Sequence, residues 1–320
     1  MRPSTTPTIG DLYLAFRQAK TALFFEKRGV GLLQLAAYER DLPRNLKILQ
    51  KKLENRHWFD KLLVGETWIV PKRLHANDDS EDGVVRIGAS RARAKGRAVD
   101  IQLRITAHPE FAIAEVLYLW RFGGFLDGLL LNQEVVGYRL DLRNNQVVPH
   151  RRWLFEYWPK RYQQFRSAPL EAAKGALGRG EQTLIINGDL ASFYDSVDPS
   201  FMLREQLVAG VRSQGADQAD LDDYQKATAS LLRAYGRYRK EASRRTGLSI
   251  TVGIPIGALT SRVVANLSLA PLDLHIAAQP GVLCYRRYVD DLVIVAKVDD
   301  ANMPQGKIRQ ILGLSIDRPY

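Results

Sequence analysis

Cysteine and histidine are scarce in this chain. Its 320 residues include one cysteine, Cys284, and five histidines scattered between positions 57 and 275. A single cysteine excludes an internal disulfide framework and is typical of proteins from a reducing compartment. Because no His/Cys cluster has the spacing of zinc ligands, the sequence gives no support to zinc chemistry.

Long apolar runs and two common enzyme motifs are also absent. The chain has no run of about 18 uncharged apolar residues, which argues against a transmembrane helix. Its first residues, MRPSTTPTIGDLYLAF, lack the apolar core of a secretory signal, so we expect a cytoplasmic protein. Neither the GxSxG elbow of serine hydrolases nor a Walker P-loop occurs.

Acidic residues are outnumbered by basic ones. The chain has 46 Lys and Arg against 35 Asp and Glu, which gives a net charge of +11. This excess favours a polyanionic partner, either nucleic acid or an acidic membrane surface. The length and an apolar content of 46% are those of a globular protein that can bury a full core and hold two subdomains.

The sequence GVLCYRRYVDDLVIVA (281–296) has two short apolar runs around a polar centre. Residues 283–288 and 292–296 have the length and the β-branched or aromatic content of strands, so we predict a hairpin with Asp290 and Asp291 at its turn. Taken alone, such a pair is more often a solvated turn than a site for a divalent metal.

Helical, strand and basic segments precede this hairpin. Residues 10–65 have a helical apolar pattern, 66–73 form a predicted strand, and 109–131 form a predicted buried helix that breaks at Gly123-Gly124. The intervening stretch is rich in arginine and is either a phosphate-binding region or a solvated basic loop. Its arginines include Arg91, Arg93, Arg97 and Arg104.

The segment HRRWLFEYWPKRYQQFR (150–166) interleaves aromatic and basic residues. Such a pattern can stack bases and hold phosphates, but aromatic residues at a helical period more often belong to a core. A predicted strand that begins at Thr183 ends at Asp189, and two helical segments follow within 199–245. A Gly/Pro turn then leads into a predicted helix over 259–274 with one apolar face.

Asp189 at a strand end and Asp290-Asp291 at a hairpin turn form two acidic sites carried by strands. Phosphoryl transfer from a nucleoside triphosphate uses such carboxylates to hold two Mg²⁺ ions about 3.5–4 Å apart. Because Mg²⁺ keeps most of its waters and takes one or two protein carboxylates, three aspartates are enough.

Three segments, in order, resemble the palm motifs of reverse transcriptases. DLASFYDSV (189–197) resembles the first motif, a catalytic aspartate followed by an aromatic pair. GIPIGALTSRVVANLSLAPLD (253–273) is similar to the second, and YVDD (288–291) matches the third. The resemblance covers about residues 60–298. The GIPIG form of the second motif is most similar to bacterial enzymes of the abortive-infection and defence-associated (unknown-group) type.

The resemblance implies an α+β fold of the right-hand polymerase type, with helix-rich fingers and an antiparallel palm sheet backed by helices. It divides the chain into an N-terminal helical region (1–65), fingers (66–180), a palm (181–298) with a helical insertion (199–245), and a truncated C-terminal tail (299–320). The implied activity is RNA-directed DNA polymerase, a nucleotidyltransferase, in antiphage defence. Its implied ligands are dNTPs, an RNA template, a DNA product and two Mg²⁺ ions, with Mn²⁺ as the alternative, and it implies no membrane partner.

The resemblance also assigns roles to residues. Asp189, Asp290 and Asp291 would form the metal-binding catalytic triad, in which the first two dominate. Tyr194 lies where the family places a steric gate against ribonucleotides; the alternative for this ring is a place in the core under the palm. The remaining implied contacts are Lys72 and Arg104 with the triphosphate, Gly253 and Gly257 with the nucleotide or template, and Arg262, Arg91, Arg93 and Arg97 with nucleic acid. For Arg262, a structural ion pair is the alternative.

Two departures from the family pattern leave alternatives open. Ile256 stands where retroviral and intron enzymes usually carry Gln, so template-independent or protein-primed synthesis is one alternative. Little chain follows the third motif, where the family continues with a primer grip and a thumb. We therefore also consider a fragment that works with a separate thumb-containing chain or a cognate non-coding RNA, and an inactive scaffold that only binds RNA.

Overall fold

A computed structural model of the chain describes residues 6–24, 30–53, 58–74, 99–298, 308–309 and 311–313. It contains helices and small antiparallel sheets, which confirms the predicted α+β class. The helices are α1 (Ile9–Phe24), α2 (Val30–Glu39), α3 (Leu42–Leu53), α4 (Pro109–Asp127), α5 (Trp158–Gly178), α6 (Phe193–Ser196), α7 (Glu205–Ser213), α8 (Gln218–Thr246), α9 (Leu259–Ser268) and α10 (Ala270–Ala277). The strands are β1 (Gly65–Leu74), β2 (Val99–Ala107), β3 (Leu142–Arg143), β4 (Gln146–Val147), β5 (Thr183–Asp189), β6 (Val282–Tyr288) and β7 (Asp291–Lys297). Within these described ranges, no helix has both the length and the apolar character that crossing a bilayer requires.

The N-terminal third consists of three helices and a two-stranded ribbon. Helices α1 and α3 bury apolar residues that include Phe16 and Leu49, as the helical pattern of residues 10–65 predicts. That prediction is wrong for residues 58–65, which form turns, irregular structure and the start of β1. Strands β1 and β2 pair antiparallel, from Gly65 opposite Ala107 to Leu74 opposite Val99. The predicted strand over 66–73 is therefore confirmed, and its partner β2 contains Arg104, the last arginine of the arginine-rich stretch.

Helix α4 lies at the centre of the main core, where its side chains are buried on nearly every face. It begins at Pro109, which lacks the N–H that a first helical turn leaves unpaired anyway. The predicted break at Gly123-Gly124 is wrong, because the helix continues to Asp127. The glycines instead allow the β3–β4 hairpin to approach, since a Cβ atom on Gly124 would lie 1.8 Å from the carbonyl oxygen of Asn145.

A three-stranded antiparallel sheet with the order β5-β7-β6 carries the acidic motifs. The predicted hairpin and the predicted strand that ends at Asp189 are both confirmed. Ala173 of α5 packs on one face of this sheet against Cys284 and Val295. Ile276 of α10 packs on the other face. With helices on both faces, the sheet presents its acidic residues at one end.

The helices between the acidic motifs differ in part from the predictions. Helix α8 has an Asp217 cap and basic residues in its last turn, an arrangement that favours the helix dipole. The single helix predicted over 259–274 is wrong, because α9 ends at Ser268 and α10 begins at Ala270. Pro271 in the first turn of α10 has no N–H with which to continue α9. Leu274, predicted on the apolar face, is consequently 57% exposed.

Candidate active site

The three predicted metal-binding aspartates lie at one end of the three-stranded sheet. Asp189, the last residue of β5, is the antiparallel partner of Asp291, the first residue of β7. Asp290 lies in the turn before β7, and its carbonyl oxygen accepts a hydrogen bond from the Leu190 amide at 3.2 Å. Directly opposed residues of an antiparallel pair project from the same face with Cβ atoms about 4.5–5.5 Å apart. Asp189 and Asp291 are therefore neighbours.

The charges of these aspartates act on one another. Burial, and after it the negative charge of Asp189, raises the pKa of the Asp291 carboxyl above its ordinary value. A cation between the two would offset this repulsion. Both residues are exposed, so waters can complete the oxygen shell that Mg²⁺ or Mn²⁺ prefers, and the donor set fits either ion. Among the described residues, no three His, Cys, Asp or Glu side chains form a ready-made metal cluster.

The turn that carries Asp290 has an unusual backbone conformation. Val289 is buried and has a φ of 63°, a left-handed value that is a genuine outlier for a β-branched residue. Such a conformation costs on the order of 1–3 kcal/mol and persists only where the surroundings hold it. Gly137 packs directly against it, because a Cβ atom there would lie 2.8 Å from the Val289 nitrogen.

A fully buried arginine holds the same turn from inside. Arg287 donates a hydrogen bond to the Val289 carbonyl oxygen at 2.8 Å. The same guanidinium donates to both carboxylate oxygens of Asp273, at 2.7 and 2.6 Å, and to the Asn266 side-chain oxygen at 3.0 Å. Arg287 and Asp273 are 0% and 1% exposed. Helices α9 and α10 therefore fix the hairpin turn through one charged network.

The sequence contained a signal for this network that pattern analysis missed. Arg287 occupies a strand position that faces the core, and Asp273 is the lone acid of helix α10, whose other residues are apolar except His275. Two opposite charges at such positions are favourable only when they pair, because burying an unpaired charge is expensive. Asn266 lies within the Ala-Asn-Leu segment of the second motif, where its side-chain amide also donates to the Gly137 carbonyl oxygen at 2.7 Å.

The acidic end of the sheet opens into a cavity of about 670 Å³. Six residues that the sequence assigned to the site line its wall, and they come from β2, α6, α9, β7 and the turns before α9 and β7: Asp290, Asp291, Tyr194, Arg104, Gly257 and Arg262. The structure thus brings together residues as much as 187 positions apart in the chain, from Arg104 to Asp291. A cavity of this size can hold a nucleotide-sized ligand.

Tyr194 connects the first and second motifs. Its ring is half-buried, lines the cavity and packs edge-on against Phe193 at 5.7 Å between centroids. Burial, and after it several nearby groups that include Asp290, raises the pKa of its hydroxyl well above the ordinary value, so the hydroxyl stays protonated. The Tyr194 carbonyl oxygen accepts a hydrogen bond from the Ile254 amide at 2.9 Å. The ring packs against the core and also lines the cavity, so its position fits both the steric-gate and the core interpretation.

Backbone conformation and close packing both require glycine at position 257. Its φ is 112°, and a Cβ atom there would lie 2.3 Å from the carbonyl oxygen of Ile105 in β2. The Ile105 amide donates a hydrogen bond to the Ile256 carbonyl oxygen at 2.8 Å. The glycine therefore allows the second motif to join the β1–β2 ribbon. Gly253, with a φ of 105°, similarly lies close to the backbone of Asp195.

Arg262 is packed rather than extended into solvent. Its guanidinium carbon lies 4.7 Å from the centre of the Tyr138 ring and 4.9 Å from that of Phe155. Such cation–π contacts stabilise a desolvated arginine by about 2 kcal/mol. Burial lowers the pKa of Arg262 to about 10, so it remains charged at neutral pH. Arg262 supports the cavity wall through these rings.

The other predicted basic contacts are only partly described. Arg104 lines the cavity and donates through Nε to the Gln102 side-chain oxygen at 2.7 Å, with a second contact to the same oxygen. The backbone of Lys72 lies in β1, but its side chain is outside the described part of the chain. The whole residues Arg91, Arg93 and Arg97 also lie outside the described residues.

The helix that follows the Gly257 turn begins against a buried carboxylate that the sequence analysis did not single out. Glu115 of α4 accepts hydrogen bonds from the amide and the hydroxyl of Thr260, in the first turn of α9. Burial raises the pKa of Glu115 to about 7, and these hydrogen bonds oppose that shift.

Comparison with known proteins found neither a family model nor a curated protein that matches the chain.

Proposed function

We propose that this chain is the fingers–palm part of an RNA-directed DNA polymerase of the reverse transcriptase type. In this proposal the β5-β7-β6 sheet is the palm of a right-hand fold, and the β1–β2 ribbon and α4 belong to the fingers. One observation carries the proposal: Asp189 and Asp291 pair across adjacent strands, and Asp291 lines a cavity together with Asp290, Tyr194 and Arg104. The likeness of the three motifs to defence-associated enzymes supports antiphage defence as the setting.

The aspartates would perform two-metal nucleotidyl transfer. Asp189 and Asp290 would hold Mg²⁺, or Mn²⁺, and Asp291 would add negative charge. When bound, the ions activate the attacking hydroxyl and stabilise the leaving pyrophosphate. The chain's own contribution is to fix the carboxylates at the hairpin turn, where Arg287 and Gly137 hold the backbone.

Tyr194 and Arg104 would shape the nucleotide site. The guanidinium of Arg104 is suited to triphosphate oxygens, and Lys72 on β1 is the second proposed contact. The ring of Tyr194 shares the cavity wall with Asp290, so it would limit the space available to a ribose 2′-hydroxyl and favour dNTPs. Positive charge on the arginine-rich stretch, with Arg91, Arg93 and Arg97, would bind the template RNA and the growing strand.

The direct test is Mg²⁺-dependent incorporation of labelled dNTPs on an RNA of defined composition. We expect incorporation by the wild-type chain, with a product composition that follows the RNA, and its loss in Asp189→Ala and Asp290→Ala. Equal incorporation by the wild type and both variants would overturn the proposal. Gel filtration and circular dichroism of the variants check that the loss is not one of folding.

Template-independent synthesis is a second candidate, favoured by one residue. Ile256 lines the cavity and has no side-chain amide with which to contact a template or nucleotide. Supplying all four dNTPs with and without RNA separates the two functions. Incorporation that is the same without RNA would favour the untemplated reaction, including a protein-primed one. Salt-dependent RNA binding with no synthesis at any Mg²⁺ concentration would instead indicate a scaffold.

A further inference from the structure

The segment 150–166 keeps part of its aromatic set outside the core. Phe155 and Phe165 are buried, as the core interpretation of this segment predicts. By contrast, Tyr157, Trp158 and Tyr162 are 57%, 46% and 39% exposed. These three residues and the half-buried Trp153 form what we call the aromatic ridge. Contiguous exposed apolar surface of this kind marks an interaction site more often than single exposed residues do.

The ridge residues follow one another along the chain and lead to the candidate active site. The rings of Trp153 and Tyr157 have centroids 6.0 Å apart. Trp158 and Tyr162 are four residues apart on α5 and therefore lie on one face of the helix. Tyr162 in turn meets Tyr288 of the hairpin edge-on at 5.4 Å. Trp153, Tyr157, Trp158 and Tyr288 all line the cavity that Asp290 and Asp291 also line.

Positive charge accompanies the ridge. The guanidinium of Arg152 lies 5.2 Å from the Trp153 ring centre, and Lys160 and Arg166 are exposed on α5. Glu156 is the one acidic residue of segment 150–166, and it forms an ion pair with Arg161. The surface thus combines flat aromatic faces with cations that carboxylates of the same segment do not neutralise.

We propose that the aromatic ridge binds single-stranded nucleic acid, whose bases stack on Tyr157, Trp158 and Tyr162 while Lys160, Arg152 and Arg166 contact its phosphates. Aromatic faces bind unpaired bases of any sequence, because every base has a π-face, and cations along the same surface follow the backbone. A protein partner could pack against the apolar area, but it would not need the cations, which suit the phosphates of a nucleic acid. The link between the ridge and the cavity rests on the proposed function; binding by the ridge itself does not.

The test measures binding of fluorescently labelled single strands of about 12 nucleotides, within the range that single-stranded sites cover. RNA and DNA of mixed sequence are titrated by fluorescence anisotropy in EDTA, so that no synthesis takes place. We expect Trp158→Ala and Tyr157→Ala each to weaken binding by roughly 5- to 150-fold, the range of base–aromatic stacking. Trp158→Phe, which keeps a ring, should retain most of the affinity.

Two sets of control variants separate the effect of base stacking on affinity from the effect of charge and from a general loss of structure. Tyr13→Ala removes a ring that is 48% exposed on α1 and does not line the cavity, so its affinity should equal that of the wild type. Lys160→Ala and Arg166→Ala should lower the slope of log K against log salt by about 0.7 each, whereas the aromatic variants should leave that slope unchanged.

The outcomes distinguish this proposal from the proposed function. If the wild type binds neither oligonucleotide, the proposal that the ridge binds nucleic acid is overturned. It is also overturned if Trp158→Ala and Tyr157→Ala both bind with the affinity of the wild type. If those variants bind normally and the wild type still incorporates dNTPs, the proposed function stands without the ridge. Ridge-dependent binding by a chain that incorporates no dNTP would support the ridge and overturn the polymerase. A ridge that instead captures a protein, with no affinity for either oligonucleotide, would contradict this inference.

Discussion

The network around Arg287 makes a prediction that needs no assumption about activity. Arg287→Met removes one partner of a fully buried ion pair and keeps much of the side-chain volume. Asp273 is 1% exposed and would be left as a buried carboxylate without its cation, although the Tyr285 hydroxyl still donates to it at 2.6 Å. Breaking a buried pair in this way costs about 3–5 kcal/mol of unfolding free energy. Typical domains have about 5–15 kcal/mol in total, so the variant should fold but be much less stable.

Urea denaturation followed by circular dichroism measures this loss. The matched control is Arg244→Met, because Arg244 forms an ion pair with Glu241 on the exposed surface of α8, and this variant should lose far less stability than Arg287→Met. The double variant Arg287→Met/Asp273→Asn removes both charges, so neither group is left buried without a partner of opposite charge. The double variant should therefore be more stable than the sum of the single losses predicts, by about 0.5–3 kcal/mol.

Two results would refute this reasoning. One is a loss in Arg287→Met that matches the loss in Arg244→Met. The other is strict additivity of Arg287→Met and Asp273→Asn, which would mean that the two groups do not act as a pair. A midpoint shift without a change in the urea dependence would show that the comparison concerns stability and not the denatured state.

Three further predictions concern pH, packing and substrate choice. Burial raises the pKa of Glu115 from 4.5 to about 7, so the folded state holds this proton more tightly than the unfolded state. The contribution of Glu115 to the free energy of unfolding is therefore full below about pH 4.5 and is lost as the pH rises through about 7, a total change of about 3 kcal/mol. Glu115→Gln should flatten that part of the stability curve, and an unchanged curve would contradict the assignment. Gly257→Ala should cost at least about 2 kcal/mol in thermal denaturation, since its Cβ atom would lie 2.3 Å from the Ile105 oxygen, whereas Gly178→Ala meets open space at the end of α5 and should be neutral or slightly stabilising. Tyr194→Val should lower the preference for dNTPs over NTPs in incorporation assays, and an unchanged ratio would show that the ring belongs only to the core.

Local patterns were sufficient for the elements that carry the aspartates. The strand that ends at Asp189 and the hairpin around Asp290 are specified by short apolar runs and a polar turn, which need no distant partner. Whether the carboxylates meet depends on strand order, and only the pairing of β5 with β7 places Asp189 opposite Asp291. The motif order suggested that proximity, but the register came from the structure.

Local patterns could not predict the contacts that depend on a distant partner. Gly124 led to a wrong prediction of a helix break, because the glycine allows the Asn145 carbonyl oxygen to approach α4. For Gly257 the sequence predicts a contact with the nucleotide or template, which stays a prediction, but no local pattern indicates its close packing on the backbone of Ile105, 152 positions earlier. Arg287 is adjacent to the third motif, but its buried partner Asp273 could be recognised only once α10 was packed against the sheet.

The most direct measurement is the initial rate of Mg²⁺-dependent dNTP incorporation by the wild type, by Asp290→Asn and by the control Asp222→Asn. Asp222 is an exposed acid on α8, outside the residues that line the cavity, so its variant should match the wild type. Metal ligands stabilise the transition state by several kcal/mol, so Asp290→Asn should lose on the order of 10³-fold in rate. A rate for Asp290→Asn equal to that of Asp222→Asn would contradict a two-metal polymerase centre at this hairpin.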